Sequence, residues 1–239
     1  MLALEKHFEN YQIMSIEEIK KAVGYKAAEL MEPNMRIGLG TGSTTRYFIE
    51  RLSQRCQQGL HIHAVASSKQ SEQLAKSGKI PLLDIETLTH LDLTVDGADE
   101  IDHQKRMIKG GGGALVREKI IAAMSREMIV IVDESKLVSS LGKCKLPVEI
   151  IPFGSTDTSH HIQKCGYKGV LRKKSDGSLY VTDNGNLIYD IHFESLRETP
   201  ERDHETLLHI PGVVDTGFFF HLAGRVIVGF NDGQVVIKD

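Results

Sequence analysis

The sequence contains few cysteines, no long hydrophobic run and no excess of basic residues. Its three cysteines, Cys56, Cys144 and Cys165, are odd in number and widely spaced, which argues against both a disulfide framework and a zinc ribbon. No apolar run approaches the ~20 residues that cross a bilayer, and the acidic Glu5 and Glu9 argue against a secretory signal peptide. These absences predict a cytoplasmic chain that has no membrane partner.

The charge balance argues against nucleic acid as a partner. The 239 residues include 29 Lys and Arg against 32 Asp and Glu, which gives a net charge of -3. A chain that binds nucleic acid would be expected to carry a basic excess, and none is present. With 41% hydrophobic residues, the length allows one sizeable core, or one core and a small appended domain.

Strand-like and helix-like segments alternate through the first 143 residues. Strands are predicted at 35–39, 61–66, 91–95, 107–108 and 128–132, and helices at 15–33, 43–55, 69–77 and 114–125. The last of these strands is apolar without interruption, which is typical of a strand that is covered on both faces. The alternation predicts an α/β fold with a doubly wound, mostly parallel, Rossmann-like sheet.

The pattern changes after residue 143. A second, smaller α+β domain at 144–213 is predicted from strands at 146–151 and 187–193, helices at 156–165 and 201–209, and a strand pair around the turn at 176–177. The strand-like tail, 213–220 and 225–230, is expected to rejoin the first sheet. The Rossmann-like catalytic domain would then comprise residues 1–143 and 214–239, including an N-terminal extension at 1–14 that has no assigned role.

A glycine-rich turn lies between a predicted strand and a predicted helix start, and its sequence is Gly38-Leu39-Gly40-Thr41-Gly42-Ser43-Thr44-Thr45. Glycines allow the backbone to approach a ligand closely, and a helix N-terminus offers free N–H groups to an anion. A dinucleotide fingerprint would need glycine where Ser43 stands, and a nucleoside-triphosphate loop would need a Gly-Lys-Ser/Thr ending. The turn is therefore interpreted either as a phosphate cradle or as a tight strand–helix connection.

An acidic turn, Asp96-Gly97-Ala98-Asp99-Glu100-Ile101-Asp102, follows the predicted strand at 91–95. In an open α/β sheet, the loops at the carboxyl ends of the strands form the ligand crevice. The four carboxylates fit a magnesium site, a set of acceptors for sugar hydroxyls, or a solvated turn. The residues alone leave these three interpretations open.

A run of four glycines separates Lys109 from a predicted helix that carries Glu118. Successive glycine amides can form an oxyanion-binding nest, and a carboxylate base beside a lysine suits proton abstraction next to a carbonyl. A flexible glycine loop is the alternative interpretation, but four glycines cost conformational entropy, which favours a role in ligand binding. Lys136, after the strand at 128–132, would place a second cation at the same sheet edge.

Together these motifs resemble the type A ribose-5-phosphate isomerase family, from about Glu17 to Gly229. Each motif is only moderately specific, whereas their order and spacing together are highly specific. Besides the three motifs above, the resemblance includes Arg117-Glu118-Lys119-Ile120, Leu146-Pro147-Val148-Glu149, Thr182-Asp183-Asn184-Gly185-Asn186 and Ile210-Pro211-Gly212-Val213-Val214.

The resemblance implies interconversion of D-ribose 5-phosphate and D-ribulose 5-phosphate through an enediol, with no metal or other cofactor, in a homodimer or homotetramer. By position, Glu118 matches the catalytic base, and Lys109 with the following amides matches the group that steadies the enediolate. Asp96 and Asp99 match residues that engage the sugar and assist ring opening. The remaining substrate contacts implied in this way are Lys20, Thr41, Gly42, Ser43, Thr44, Gly97, Ala98, Gly110, Gly111, Gly112 and Lys136.

Two other classes of function are weighed against this one. A non-catalytic sugar-phosphate sensor would need the phosphate turn but would not need Glu118 together with Lys109. An amino-sugar phosphate deaminase or a lactonase on a similar scaffold would be expected to carry a histidine near the base, and none lies beside Glu118 in the sequence. The isomerase is therefore favoured.

Overall fold

The computed structural model describes residues 14–239, so the predicted N-terminal extension lies outside the described residues except for Met14. The α-helices are α1 (Ile16–Glu29), α2 (Ser43–Gln57), α3 (Lys69–Ser77), α4 (Leu115–Met124), α5 (Ser155–Lys164) and α6 (Pro200–Leu208). The strands are β1 (Arg36–Leu39), β2 (His63–Ala66), β3 (Leu93–Asp96), β4 (Glu100–Ile101), β5 (Met107–Ile108), β6 (Met128–Asp133), β7 (Leu146–Ile150), β8 (Gly169–Leu171), β9 (Leu187–Ile191), β10 (Val213–Thr216), β11 (Phe218–Phe219), β12 (Ala223–Gly229) and β13 (Val235–Lys238).

The central sheet has six strands in the order β13-β12-β6-β3-β1-β2. All its pairings are parallel except that of the edge strand β13, which runs antiparallel to β12. Every residue of β6 is buried. Ile129 and Ile131 pack with α1 and α2, whereas Met128, Val130 and Val132 pack in the core cluster that includes residues of α4. Helices thus cover both faces, which confirms the predicted Rossmann-like fold.

A smaller antiparallel sheet has the order β10-β7-β9-β8. Its core cluster also contains Ile162 of α5 and Leu207 of α6. The predicted second strand around the turn at 176–177 is reduced to an isolated bridge between Lys173 and Leu179. The second, smaller unit of the fold prediction is thus present, while the residue boundaries given for the two domains stay a prediction.

The chain after residue 213 departs from the expectation that it rejoins the first sheet as a whole. Strand β10 pairs with β7 of the smaller sheet, and β11 joins β5 and β4 in a third, three-stranded sheet. Only β12 returns to the central sheet, where β13 adds a hairpin strand that the sequence analysis missed. The chain therefore crosses all three sheets within about two dozen residues.

The third sheet places the glycine run beside the carboxyl edge of the central sheet. Strand β5 ends at Ile108, and the Lys109 amide donates a 2.8 Å hydrogen bond to the carbonyl of Gly217, just before β11. The four glycines then lead into α4, which starts at Leu115. None of the helices formed by residues 14–239 has the length and apolar character needed to cross a bilayer.

Candidate active site

A cleft of about 150 Å³ lies where the loops after β1, β3 and β5 meet. It is lined by Lys20, Thr41, Gly42, Ser43, Thr44, Thr45, Gly97, Ala98, Asp99, Lys109, Gly110, Gly111, Gly112, Glu118 and Lys136. The structure thus gathers the predicted site residues around one cleft, with the exception of Asp96, which does not line it.

Asp96 lies beneath the cleft and holds Lys109. Its Oδ2 atom accepts a 2.8 Å hydrogen bond from the Lys109 ammonium, which also donates to the Gly97 carbonyl at 2.7 Å. The other oxygen, Oδ1, accepts from the amides of Thr41 at 3.0 Å and Gly97 at 2.8 Å. Since Asp96 is only 1% exposed, this geometry favours a role in placing Lys109 and the glycine-rich turn at 38–45. Direct contact of Asp96 with the sugar stays a prediction.

Lys109 and Glu118 lie next to each other, buried in the cleft. The Nζ atom of Lys109 lies 3.2 Å from Oε2 of Glu118, and each side chain is 3% exposed. Burial alone would lower the pKa of Lys109, but the carboxylates of Asp96 and Glu118 outweigh burial and raise this pKa. The ammonium therefore stays charged at neutral pH.

Glu118 has the properties of a poised base. Its position in the first turn of α4 points the carboxylate into the cleft, and Oε2 accepts no hydrogen bond from any residue in 14–239. Burial raises the pKa of Glu118 to about 8, because the Lys109 ammonium only partly offsets the loss of solvent and the Asp96 carboxylate repels a second negative charge. A carboxylate with a pKa near neutrality is suited to accept and return a proton.

The carboxylates of the acidic turn do not converge on a common point. Glu100 accepts from the amides of Gly142 and Cys144, and Asp102 accepts from Arg106 Nε at 2.7 Å. Asp99 lines the cleft, where its Oδ2 accepts from the Gly111 amide at 2.8 Å. Among the described residues, no group of three or more His, Cys, Asp or Glu is arranged to hold a metal ion. The geometry thus gives no support to the magnesium interpretation of this turn.

The glycine-rich turn at 38–45 presents an uncapped helix start to the cleft. Gly42, at φ 122°, precedes α2, and no side chain of residues 14–239 caps the first amides of this helix. The hydroxyl of Thr41 is already engaged with Ser67 at 2.7 Å and with Ser68 at 2.9 Å. Thr41 therefore shapes the turn, while the first amides of α2 and the hydroxyls of Ser43 and Thr44 are available to an anion.

Two further cations border the cleft. Lys136 follows β6 in a short 3₁₀ turn, as the sequence analysis expected of a cation at this sheet edge. Lys20 comes from α1, and its ammonium lies 2.9 Å from the Glu17 carboxylate. Both lysines can add positive charge around an anionic ligand.

Two side chains that hold the glycine run, those of Arg172 and Tyr180, could not be predicted from the sequence. Arg172 donates from Nη1 to the carbonyls of Gly110 at 3.1 Å and Gly111 at 3.0 Å, and Tyr180 donates to the carbonyl of Gly112 at 3.0 Å. These donors are more than 60 positions away along the chain, so no local spacing indicates the contact.

Comparisons with known proteins show which family the chain resembles. A family model described as ribose 5-phosphate isomerase A (phosphoriboisomerase A) matches residues 63–233. Ribose-5-phosphate isomerase A of Protochlamydia amoebophila is 52% identical over 218 residues, which cover 91% of this chain and 94% of the relative. The protein of the same name from Bacillus mycoides is 48% identical over 215 residues, 90% of this chain and 97% of the relative.

Solved structures show the same similarity. Ribose 5-phosphate isomerase from Plasmodium falciparum is 36% identical with a TM-score of 0.90, over 93% of this chain and 98% of that one. A D-ribose-5-phosphate isomerase in complex with phospho-erythronic acid is 38% identical with a TM-score of 0.89, over 95% of this chain and 100% of that one. These matches favour an isomerase over the sensor, deaminase and lactonase interpretations. The chain belongs to the ribose-5-phosphate isomerase A family, a family of isomerases.

Proposed function

We propose that this chain interconverts D-ribose 5-phosphate and D-ribulose 5-phosphate through an enediolate, without a metal cofactor. The observation that carries the proposal is the Glu118 carboxylate: it is buried, faces the cleft, has a raised pKa, and lies 3.2 Å from the Lys109 ammonium. A base and a fixed cation at this distance are what proton transfer next to a carbonyl requires.

In the proposed reaction, the open-chain aldose binds with its C2 hydrogen directed at Glu118. Glu118 removes this proton, and the negative charge that develops on the carbonyl oxygen O1 is stabilised by Lys109 and by glycine amides. The C2 hydroxyl then transfers its proton to O1, and Glu118 returns a proton to C1, which gives the ketose. General base action contributes ~10²–10⁴ in rate, and each well-placed oxyanion donor contributes roughly 10²–10³.

The phosphate is proposed to bind at the start of α2. Gly42, Ser43 and Thr44 supply open amides and hydroxyls there, and Lys20 and Lys136 supply charge. Anchoring the phosphate fixes the distance between the far end of the sugar and the Glu118–Lys109 pair, so this binding energy supports the chemical step. Of the two aspartates assigned to the sugar, Asp99 lines the cleft and is the candidate for direct contact and ring opening.

The ligand of one relative supports a sugar phosphate as the substrate. Phospho-erythronic acid, which a 38% identical isomerase binds, carries a phosphate and a carboxylate on one short polyhydroxy chain. Its carboxylate resembles the planar, anionic enediolate. A ligand of this kind is expected to span the present cleft, with its phosphate at α2 and its carboxylate at Lys109.

A direct assay tests the proposal. Ribose 5-phosphate is incubated with the purified chain, and formation of ribulose 5-phosphate is followed together with the reverse reaction. In D₂O, solvent deuterium should appear at C1 of the ketose to the extent that the proton on Glu118 exchanges with solvent during the lifetime of the enediolate. Deuterium at C1 would support proton transfer over a hydride shift, which exchanges nothing with solvent, and failure to form any ribulose 5-phosphate would contradict the proposed function.

The family resemblance further supports a cytoplasmic homodimer or homotetramer as part of the proposal. Size-exclusion chromatography with light scattering would distinguish a particle of two or four 26.6 kDa chains from a monomer.

A further inference from the structure

The glycine run that follows Lys109 is held in place by groups outside it. Gly110 and Gly113 have φ values of 97° and 82°, and the Gly113 amide donates to the Gly110 carbonyl at 2.9 Å. Glycines have no side chains with which to anchor themselves, and such a loop is intrinsically flexible. Its geometry therefore depends on the neighbouring side chains that hydrogen-bond to its backbone.

Arg172 of the smaller sheet is the main external contact of this loop. Its side chain is 9% exposed, and Nε and Nη2 both donate to the carboxylate of Asp190, which is 5% exposed. Because the guanidinium is planar, this two-point contact fixes the direction of the third nitrogen, Nη1. Nη1 donates to the carbonyls of both Gly110 and Gly111.

These contacts orient two successive peptide planes. In a trans peptide the carbonyl and the N–H group point in opposite directions. The plane between Gly110 and Gly111 is held at both ends, by Arg172 at its oxygen and by Asp99 at its N–H group. The peptide plane between Gly111 and Gly112 is held by Arg172 at the Gly111 oxygen. The N–H group of Gly112, at the other end of this plane, therefore points away from the smaller sheet. This N–H group donates to no residue within 14–239, and Gly112 lines the cleft.

We propose that Arg172 is a positioning residue for the isomerisation: by holding the Gly110 and Gly111 carbonyls, it directs the Gly112 N–H group toward the oxygen that becomes negatively charged. The inference rests on the proposed function and adds a residue of the smaller sheet to it. Arg172 itself need not touch the substrate, and the phosphate turn at α2 does not depend on it. Its loss should therefore slow the chemical step and leave substrate affinity nearly intact.

Two substitutions test this, Arg172→Ala and Arg172→Lys. Lysine keeps a positive charge opposite Asp190, but a single ammonium cannot hold the carboxylate and two carbonyls in one plane. We expect kcat for ribose 5-phosphate to fall ~10–100-fold in both variants, because an oxyanion donor is misplaced rather than deleted, while KM changes less than about 3-fold. Inhibition by phospho-erythronic acid should weaken by a factor similar to the loss in kcat.

Lys145→Met is the matched control. Lys145 is the second cation on Asp190, at 2.6 Å from Oδ2, and within residues 14–239 its ammonium donates no hydrogen bond to the glycine run. The substitution Lys145→Met should leave kcat within about 2-fold of the wild type, since the contacts of Arg172 with the glycine run remain. Circular dichroism and thermal melts establish whether each variant is folded. If Arg172→Ala does not fold, Arg172→Lys alone tests the proposal.

Three results would overturn the proposal: wild-type kcat in Arg172→Lys, an equal loss of kcat in Lys145→Met, or lowered kcat with unchanged inhibition by phospho-erythronic acid. A wild-type chain that does not isomerise ribose 5-phosphate would instead contradict the proposed function.

Discussion

Oε2 of Glu118 lies 3.2 Å from Nζ of Lys109, and the carboxylate accepts no hydrogen bond at this atom from the described residues. The ammonium, in contrast, is bound by Asp96 and the Gly97 carbonyl. The cation is therefore fixed, and the carboxylate retains an oxygen for a proton. This asymmetry within the pair is what makes Glu118 the base and Lys109 the electrostatic partner in the proposed reaction.

The substitution Glu118→Gln should abolish most turnover and preserve substrate binding. Glutamine keeps the shape of the side chain but cannot accept the proton, so kcat is expected to fall ~10²–10⁴-fold. Steady-state kinetics and direct titration with ribose 5-phosphate would separate the two effects. Glu194→Gln is the matched control, because Glu194 is 78% exposed and contacts Lys168 at the surface. Near-normal kcat in Glu118→Gln would remove Glu118 from the mechanism.

The raised pKa of Glu118 predicts the pH dependence of activity. The base must be ionised to accept a proton, so kcat/KM should increase with pH until the pH exceeds the pKa of about 8. An ordinary glutamate, with a pKa of 4.5, would give a flat profile from pH 6 to 9. The measurement is kcat/KM as a function of pH between 5 and 9. If kcat/KM does not change between pH 6 and 8, the raised pKa of Glu118 is contradicted.

The raised pKa of Glu118 also predicts how the folding stability of the chain depends on pH. Below pH 4.5, Glu118 is neutral in both the folded and the unfolded chain, and the stabilising effect of the raised pKa is fully present. Between pH 4.5 and about 8, the unfolded chain ionises while the folded chain does not, so this contribution is lost as the pH increases. Glutamine has no such dependence. The Tm of Glu118→Gln should therefore exceed that of the wild type by a margin that grows from pH 5 to pH 8, about 2–4 °C per kcal/mol.

Removal of metal ions should leave the activity intact. The carboxylates near the cleft are occupied by protein donors: Asp96 by Lys109 and two amides, Asp99 by the Gly111 amide, and Asp102 by Arg106. The proposed charge stabilisation depends on an ammonium group and amides, which EDTA does not affect. Loss of activity after dialysis against EDTA, with recovery on addition of Mg²⁺, would support the magnesium interpretation instead.

The parts of the fold that depend on local sequence were predictable, and those that depend on distant pairing were not. The uninterrupted apolar run of β6 indicated a strand covered on both faces, and the glycine motifs indicated loops at one sheet edge. The residues Val213–Thr216 form a short strand that either sheet could accept, and its partner β7 is more than 60 positions away. The sequence therefore predicted a strand there but assigned it to the wrong sheet.

The same distinction applies to the site. Thr41, Lys109 and Glu118 were identified from motifs because glycines, a helix start and a charged pair lie close together in the sequence. The contact between Arg172 and the Gly111 carbonyl spans 61 positions and depends on Asp190, in the neighbouring strand β9. An arginine in this segment has no sequence feature that separates it from a solvated surface cation, so its role became visible only in three dimensions.

Alanine substitutions at two glycines, one at each end of α2, would distinguish the effect of backbone strain from an effect on phosphate binding. Gly42 and Gly59 have φ values of 122° and 105°, and a Cβ atom at either position would meet no atom within 4 Å. Alanine is therefore strained at both positions without a steric clash, and each variant should lose about 1–3 kcal/mol of stability, with the larger loss at Gly42, whose φ of 122° and ψ of 179° are almost restricted to glycine. Gly42 precedes the first amides of α2 in the cleft, whereas Gly59 follows its last turn.

Kinetics on the two alanine variants should therefore differ, although both variants are strained. We expect Gly42→Ala to increase KM for ribose 5-phosphate about 10-fold, since one displaced charge-assisted contact is worth about 1.5 kcal/mol, and Gly59→Ala to leave KM unchanged. Competitive inhibition by inorganic phosphate provides an independent measurement, because it reports on the anion site alone and should weaken only in Gly42→Ala. Equal KM values in both variants would mean that the phosphate does not bind at the start of α2, since the conformation of this turn then has no effect on substrate affinity.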